Sequence, residues 1–303
     1  MLAAMLFPSN GSARDACMND SRHSIAAMGT SLGPDVLAQC RALFDAEQSA
    51  LQADVPVTQS DIAYGPHERH RLDIYAPADA RGPVPVLVFV HGGGFLKGDK
   101  GGDGPDGWAN ANVGRMAAQA GFVGVVINYR LAPDAMWPSG PEDIAAVVAW
   151  IKDHAAAHGG DPDRIVLMGT SAGAVHVAGY LKLAGDRDIR AAILLSGLYG
   201  HSPIDARDML YYGDPALYPD RMPLDAVVAT ALPLLLVCAE FDPPRFQAEF
   251  LCLMQDRLAR HGAMPRAFIH SGHNHYSMAM HLGTADRRLA DEICAFVRDV
   301  TQS

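Results

Sequence analysis

The 303-residue sequence has no lysine- or arginine-rich run and no C-x-x-C pair. Its formal net charge is −10. Because nucleic-acid binding needs a concentrated basic surface, we expect no nucleic-acid partner. The five cysteines are odd in number and widely spaced, which argues against both a disulfide framework and a cysteine metal site. They are predicted to be small buried apolar residues in a reducing compartment.

Long apolar runs are also lacking. No stretch approaches the ~18 apolar residues that a membrane-spanning helix needs. The N-terminal run MLAAMLF is too short for the apolar region of a signal peptide, and no Lys or Arg precedes it. We therefore expect a cytoplasmic protein without a membrane partner. Residues 1–30 are polar and rich in small residues, which predicts a flexible leader before a single domain over 31–303.

Apolar residues make up 49% of the chain and charged residues 19%, a balance typical of a chain with a large core. Strand-like and helix-like segments alternate, which predicts an α/β fold with a mostly parallel sheet between helices. The predicted strands are 57–64, 69–75, Val84–Val90, Val123–Ile127, Ile165–Met168, Ala191–Leu195, Leu232–Val237 and Ala267–Ile269. The predicted helices are 34–52, 141–157, 171–184, 244–261 and 284–299. Residues 200–230 are irregular and predict an excursion over the sheet.

A G-x-S-x-G pattern, residues 169–173, lies between a predicted strand and a predicted helix. A serine at the apex of such a sharp turn needs glycine on either side, because the turn strains the backbone and crowds its neighbours. The following helix N-terminus favours developing negative charge. A turn without chemistry would carry the same letters, but the strand before and the helix after favour Ser171 as a nucleophile.

Three consecutive glycines follow the strand Val84–Val90, in the sequence HGGGF at 91–95. Such a turn can point backbone N–H groups at a ligand, and acyl transfer needs donors where the oxyanion forms. The expected donors are the N–H groups of Gly93, Gly94 and Ala172. A phosphate loop is the alternative, but neither G-x-G-x-x-G nor a G-K-[ST] ending is present. His91 is predicted to brace the loop.

A serine nucleophile needs a general base and an orienting carboxylate in later loops at the same sheet edge. Asp242 is the favoured acid, with Glu240 as the alternative closer to the strand end. His270 is predicted to end the last strand, which leaves His273 and His275 as bases that could reach the serine. The chain order of serine, acid and histidine is the order that this arrangement requires.

The pair His273-x-His275 also raises the question of a metal site. No Cys, Asp or Glu follows at zinc-like spacing, so we expect no metal. The acyl-transfer chemistry needs no cofactor.

Together these motifs resemble the hormone-sensitive-lipase-like bacterial carboxylesterases, over about residues 57–300. The closing segment also resembles a neighbouring subgroup that includes the arylformamidases (kynurenine formamidases). The motifs that carry the resemblance are HGGGF at 91–95, NYRLAP at 128–133, GTSAGA at 169–174, EFDPP at 240–244 and GHNHYSM at 272–278.

The resemblance implies an α/β-hydrolase fold, with a cap built from the N-terminal helix at about 31–55 and from 200–230. By position it implies Ser171 as nucleophile, His275 as base and Asp242 as orienting acid, with the three backbone donors as oxyanion hole. Thr170 replaces the usual aspartate and Ala174 the usual glycine.

In the arylformamidase-like pattern an aromatic residue follows the loop histidine. His275-Tyr276 matches that pattern. The match favours His275 over His273 as the base.

We therefore expect hydrolysis of a small, short-acyl carboxylic ester through an acyl-enzyme, with a small-molecule ester as partner. A homodimer is left open. The residues expected to line an apolar substrate pocket are Phe95, Leu96, Trp108, Trp137, Tyr211, Tyr212 and Met222.

Two other functions compete. The same triad could hydrolyse a formamide of the N-formylkynurenine type. The fold also serves as a catalytically inactive binding module in plant hormone receptors, but such chains usually lack a triad member, and here all three are present.

Overall fold

Eight strands form one sheet in the computed structural model, which describes residues 20–102, 107–202 and 205–302. The strands are β1 (Gln59–Ala63), β2 (Arg71–Tyr75), β3 (Val84–Val90), β4 (Val123–Ile127), β5 (Gly160–Thr170), β6 (Ala191–Leu195), β7 (Leu234–Phe241) and β8 (Arg266–Asn274). Their order across the sheet is β1-β2-β4-β3-β5-β6-β7-β8. β1, β2 and β4 pair antiparallel, and every later pair is parallel, which confirms the predicted mostly parallel sheet.

Helices cover both faces of this sheet. They are α1 (residues 20–28), α2 (Pro34–Asp54), α3 (Trp108–Gln119), α4 (Ser139–His154), α5 (Ala172–Ala184), α6 (Met209–Tyr212), α7 (Tyr218–Arg221), α8 (Leu224–Ala229), α9 (Pro244–His261), α10 (Ser277–Met280) and α11 (Arg288–Thr301). One core lies between the sheet and α4, α5, α8 and α9, and includes Ile144, Val177 and Leu253. The other lies under α3 and α11 and includes Met116 and Ile293. None of the helices within the described ranges is long and apolar enough to cross a membrane.

Buried parallel strands explain why β3, β4 and β6 match their predicted bounds. Both faces of such a strand are covered, so its sequence is a continuous apolar run that stands out from its surroundings. Their residues are almost all buried. Each fully buried Val, Leu or Ile contributes roughly 1.5–3 kcal/mol relative to its exposed state.

The last strand was predicted too short. β8 continues to Asn274, so His270 does not end it. β7 likewise reaches Phe241, and the ladder between them resumes at Phe241–Asn274 after a register shift. Backbone hydrogen bonds hold this extension, whose side chains are mostly polar. Because the prediction of strands relied on apolar periodicity, it did not detect the extension.

α3 and α11 differ from the sequence prediction for different reasons. α3 was not predicted, because its sequence WANANVGRMAAQ has a weak apolar pattern and two interior residues, Ala109 and Asn110, with non-helical backbone angles. α11 begins at Arg288 and not at residue 284, since the chain first makes a turn in which Thr284 N–H bonds to the carbonyl of His281.

Part of the predicted leader is folded. Residues 20–28 form α1, and its Ile25 is fully buried against Phe44 of α2 and Trp108 of α3. The prediction of a flexible leader over 1–30 therefore differs from the structure at 20–28. Residues 1–19 lie outside the described residues.

The parallel arrangement brings four strand ends to one edge of the sheet. β3 ends at Val90, β5 at Thr170, β7 at Phe241 and β8 at Asn274. The residues that follow them are the triple-glycine turn, Ser171, Asp242 and His275. Carboxyl ends of parallel strands are the usual place for ligand sites in open α/β sheets.

Candidate active site

Ser171 sits at the bend between β5 and α5. Its backbone angles, φ 53° and ψ −122°, are in a region that non-glycine residues rarely adopt. The bend leaves no room beside it: a Cβ atom on Gly173 would lie 2.1 Å from the carbonyl oxygen of Val90, and one on Gly169 would lie 2.4 Å from the backbone of Gly173. The glycines of the G-x-S-x-G pattern are thus required by close backbone packing.

Three side chains form a continuous hydrogen-bonded chain at this bend. Nε2 of His275 lies 2.9 Å from Oγ of Ser171, and Nδ1 of His275 lies 2.7 Å from Oδ1 of Asp242. A carboxylate at Nδ1 accepts that N–H and leaves Nε2 as the acceptor that faces the serine hydroxyl. The ring of Phe246 packs against the imidazole at 4.4 Å between centroids.

Asp242 is fully buried, and its charge is compensated by neighbours other than the histidine. Oδ2 accepts hydrogen bonds from Oγ of Ser196 at 2.5 Å and from the N–H of Ala239 at 2.7 Å. Burial raises the pKa of Asp242, but the hydrogen bonds from His275, Ser196 and Ala239 outweigh that effect and hold the pKa below its ordinary value. Asp242 therefore stays ionised beside the imidazole.

The two alternatives from the sequence lie elsewhere. Glu240 is exposed, and its Oε2 accepts the N–H of Gly272 at 2.7 Å. His273 is buried with Nδ1 3.1 Å from Oγ of Ser277 and Nε2 3.4 Å from Oδ2 of Asp286. The structure thus brings Asp242 and His275 to Ser171, and not Glu240 or His273.

The triple-glycine turn presents free backbone donors to the same space. Gly93 and Gly94 have φ values of 133° and 60°, which only glycine adopts easily. Within the described parts of the chain, the N–H groups of Gly93, Gly94 and Ala172 make no hydrogen bond, and all three residues line the cavity in front of Ser171.

His91 braces this turn from behind. It is fully buried, with Nδ1 2.7 Å from the carbonyl oxygen of Gly92, and its own carbonyl accepts the hydroxyl of Tyr129 at 2.9 Å. Burial lowers the pKa of His91 to about 4, so the ring is neutral and holds the loop without carrying charge.

A cavity of about 740 Å³ opens above Ser171. Three of the predicted pocket residues line it: Phe95, Tyr212 and Met222. The other four do not, which corrects the sequence prediction. They are Leu96, Trp108, Trp137 and Tyr211.

Each of these four is used in packing behind the cavity wall. Tyr211 is buried and stacks on Phe95 at 4.4 Å between ring centroids. Trp108 packs under α2, with its indole N–H on Oδ1 of Asp45 at 3.0 Å. Leu96 and Trp137 pack against the Phe95 cluster. Aromatic composition alone does not separate a cavity wall from the layer behind it.

Several lining residues were missed because no motif carries them. Both predicted cap segments reach the cavity, the first through the start of α2 and the second through residues between β6 and α8. The missed apolar lining residues are Leu32, Pro34, Leu37, Val175, Leu198, Phe246 and Met280. Those in helices carry only the amphipathic pattern of the helix, which does not say which face meets the site, and Leu32 and Leu198 lie outside the helices.

Among the described residues, one group has the composition of a metal site. His270, His273 and His281 are buried, with ring nitrogens within 4.8 Å of one another. Their rings lie 3.9–4.9 Å apart between centroids and are stacked or tilted rather than convergent. Burial lowers the pKa of all three, that of His270 to about 3.

Five of the six ring nitrogens of this histidine cluster already have partners. Nε2 of His270 lies 3.2 Å from Nε2 of His281, and Nδ1 of His281 donates to the carbonyl of Ser277 at 2.8 Å. With His273 on Ser277 and Asp286, the cluster is a hydrogen-bonded brace between β8 and the turn before α11. It holds the segment that carries His275.

A family model described as BD-FAE matches residues 72–192. "Esterase LipQ" of Mycobacterium tuberculosis is 28% identical over 269 residues, covering 78% of this chain and 61% of that protein. "Isoprenylcysteine alpha-carbonyl methylesterase ICME" of Arabidopsis thaliana is 36% identical over 117 residues, covering 39% of this chain and 26% of that protein. The chain spans 24% to 61% of the length of the curated relatives it matches.

A solved structure, "EstE1, a New Thermophilic and Thermostable Carboxylesterase Cloned from a Metagenomic Library", superposes with a TM-score of 0.67 at 23% identity, covering 88% of this chain and 98% of the other. The chain has the α/β-hydrolase fold. The resemblance that its motifs predict, to esterases of this fold, is confirmed. This α/β-hydrolase carries its serine, acid and histidine in the order expected for the fold.

Proposed function

We propose that this α/β-hydrolase is a carboxylic ester hydrolase that works through a Ser171 acyl-enzyme. The observation that carries the proposal is the hydrogen-bonded chain from Ser171 through His275 to Asp242, beside three unbonded N–H groups. The names of the relatives, an esterase and a methylesterase, support the same reaction.

The geometry suits each proton transfer. Oγ of Ser171 attacks the acyl carbon while Nε2 of His275, 2.9 Å away, takes the hydroxyl proton. Asp242 fixes the tautomer and stabilises the imidazolium. The N–H groups of Gly93, Gly94 and Ala172 bind the developing oxyanion, each worth roughly 3 kcal/mol in the transition state. The imidazolium protonates the leaving alcohol, and water then releases the acid by the same route.

Hydrolysis of p-nitrophenyl acetate by point variants tests the assignment. Ser171→Ala and His275→Ala should each lose at least about a thousandfold in kcat, because each removes a group that acts in the transition state. His273→Gln should keep kcat within about tenfold, since His273 bonds to Ser277 and Asp286. Activity that survives Ser171→Ala would reject the nucleophile, and loss in His273→Gln with activity in His275→Ala would reverse the base.

We further propose small, short-acyl esters as substrates. The cavity of about 740 Å³ is bounded by both cap segments, and its apolar wall includes Phe95 and Tyr212. A series of p-nitrophenyl esters should therefore reach its highest kcat/KM at short acyl chains. A maximum at long chains would contradict this substrate range.

Formamide hydrolysis is the second candidate, favoured by Tyr276 beside the histidine. Tyr276 lines the cavity, and its hydroxyl accepts the N–H of Gly33 at 3.1 Å, which ties β8 to the start of α2. Comparing kcat/KM for N-formylkynurenine and phenyl acetate separates the two reactions. A catalytically inactive binding module would hydrolyse neither.

We also propose a cytoplasmic location. The four described cysteines, Cys40, Cys238, Cys252 and Cys294, are free thiols, which fits a reducing compartment. The oligomeric state is open between monomer and homodimer, which sedimentation velocity distinguishes.

A further inference from the structure

The charge around the cavity is opposite to that of the whole chain. Although the formal net charge is −10, four cationic side chains line the cavity among the described residues, against two carboxylates. The cations are Arg41, Lys97, Arg207 and Arg245, and the carboxylates are Asp205 and Asp208. An excess of one sign inside a concave site concentrates ligands of the other sign.

One of the four cations contacts both carboxylates. Arg245 places Nη1 2.8 Å from Oδ2 of Asp205 and Nη2 3.1 Å from Oδ2 of Asp208. Asp205 also accepts the N–H of Arg207 at 2.9 Å and that of Asp208 at 3.1 Å. Burial raises the pKa of Asp205, but these hydrogen bonds outweigh it and hold the pKa below its ordinary value. Both carboxylates therefore already have hydrogen-bond partners within the protein.

The other three cations have weaker ties to the carboxylates or none. Arg207 makes a long ion pair with Asp205, 3.6 Å from Nη2 to Oδ2, and its side chain is 53% exposed. In the part of the chain that the structure describes, Arg41 and Lys97 make no side-chain hydrogen bond or ion pair. Both of these residues line the cavity.

Two of these cations lie at the oxyanion turn itself. A Cβ atom on Gly94 would be 3.5 Å from Cδ of Arg207 and 3.6 Å from Nε and Nη1, so the arginine lies directly over this glycine. Lys97 follows in the same loop, with its carbonyl packed against Gly93. A substrate whose carbonyl oxygen enters the turn therefore has the Arg207 guanidinium close by, with the cavity-lining Lys97 in the same loop.

We propose that Arg207 and Lys97, with Arg41 at the rim, form an anion-binding subsite that selects esters carrying a carboxylate. The inference rests on the proposed ester hydrolysis and names its substrate class. Guanidinium binds a carboxylate through two parallel N–H···O bonds, which gives orientation as well as attraction. A short spacing between the scissile ester and the anion fits the position of Arg207 over Gly94.

Two matched pairs of esters test the subsite, one for each side of the scissile bond. Monoethyl succinate is compared with ethyl levulinate, which has a neutral ketone in place of the carboxylate. 4-Acetoxybenzoate is compared with 4-acetoxybenzamide. In at least one pair the anionic ester should have a kcat/KM about tenfold above its neutral partner in 20 mM NaCl. The preference should fall at 500 mM NaCl, because the side chains are partly exposed and salt screens them.

The double variant Arg207→Gln/Lys97→Gln should lower the anionic-to-neutral ratio about tenfold. The double variant Arg81→Gln/Arg187→Gln is a charge-matched control, because both arginines are exposed in loops at the opposite end of the sheet, Arg81 before β3 and Arg187 after α5. If the protein hydrolyses the neutral esters and prefers the anionic ester in neither pair, the proposed subsite is wrong. The proposed ester hydrolysis then still stands. An equal anionic-to-neutral ratio of kcat/KM in the wild type and the double variant Arg207→Gln/Lys97→Gln also contradicts the subsite.

If the protein hydrolyses none of the four esters, the proposed function is contradicted. A binding measurement then tests the subsite separately. Titration calorimetry on Ser171→Ala should show monoethyl succinate binding at least about tenfold tighter than ethyl levulinate, with the difference lost when Arg207→Gln/Lys97→Gln is added. Equal binding of the two ligands rejects the anion-binding subsite.

Discussion

Asp242 carries a negative charge in the interior, where an uncompensated carboxylate is costly. Its partners are the imidazole of His275, the hydroxyl of Ser196, the N–H of Ala239 and the thiol of Cys238 at 3.3 Å. Among these, only the histidine belongs to the catalytic proposal. The others keep the acid ionised and correctly oriented, so the triad depends on residues that no motif names.

Ser196→Ala should test that dependence. It removes one charge-assisted hydrogen bond and leaves Oδ2 of Asp242 with one partner fewer, so the free energy of unfolding at pH 7 should fall by about 2 kcal/mol. Urea unfolding measures the change. Ser271→Ala, at an exposed position on β8, is the matched control and should stay within about 0.5 kcal/mol of wild type. Equal values for the two variants would contradict the role given to Ser196.

At the scale of single residues, the sequence predicts the types of the site residues but not all their neighbours. Ser171 and the glycines follow from a local pattern, because the bend requires them. His273 lies on β8 and His275 directly follows this strand, and only the path of β8 past its register shift turns one toward Asp286 and the other toward the serine.

At the scale of elements, α2 forms the N-terminal wall of the site, and α1 packs behind it. α1 is held by Arg22, 3.6 Å from Asp286, and by Ile25, which is fully buried. α2 places Pro34 and Leu37 in the cavity and Cys40 beside Asn274 of β8. The sequence predicts α2 from its apolar period, whereas α1 lies in a polar stretch that reads as a leader.

Ile25→Ala measures how firmly α1 is attached. Removing a fully buried isoleucine side chain from the cluster with Phe44 and Trp108 should lower the free energy of unfolding by about 2–5 kcal/mol. Chemical unfolding followed by circular dichroism reports the loss. Leu183→Ala, at a leucine that is 52% exposed, is the control and should change stability by less than about 0.5 kcal/mol. If Ile25→Ala were equally harmless, α1 would be detached in solution.

At the scale of the whole molecule, buried histidines make stability depend on pH. Burial lowers the pKa of His91 to about 4 and those of His176 and His270 to about 3. In the unfolded chain a histidine takes up a proton near pH 6.5. Below that pH the unfolded state binds protons that the folded state does not bind. Stability is therefore lost as pH falls from about 6.5 toward 4.

The expected loss between pH 7 and pH 5 is about 2 kcal/mol for each of these three histidines. Burial raises the pKa of Asp73, so this one carboxyl opposes the trend. Urea unfolding at pH 7.0, 6.0 and 5.0 should show a slope of at least about three protons near pH 5.5, because burial also lowers the pKa of His273 and His281. His176→Gln should reduce that slope by about one proton. Stability that is flat from pH 7 to pH 5 would contradict neutral buried imidazoles.

By itself the sequence determined the α/β class, most strand positions, the bend at Ser171, the triple-glycine donors and the order of the triad. These features depend on contiguous apolar runs and on turns that only glycine permits, so neighbouring residues are enough to specify them. The tertiary structure decided which histidine meets the serine, which aromatic side chains face the cavity and which cations line it. Those choices depend on contacts between distant segments, such as Ser171 with His275, 104 residues apart, and no local pattern encodes them.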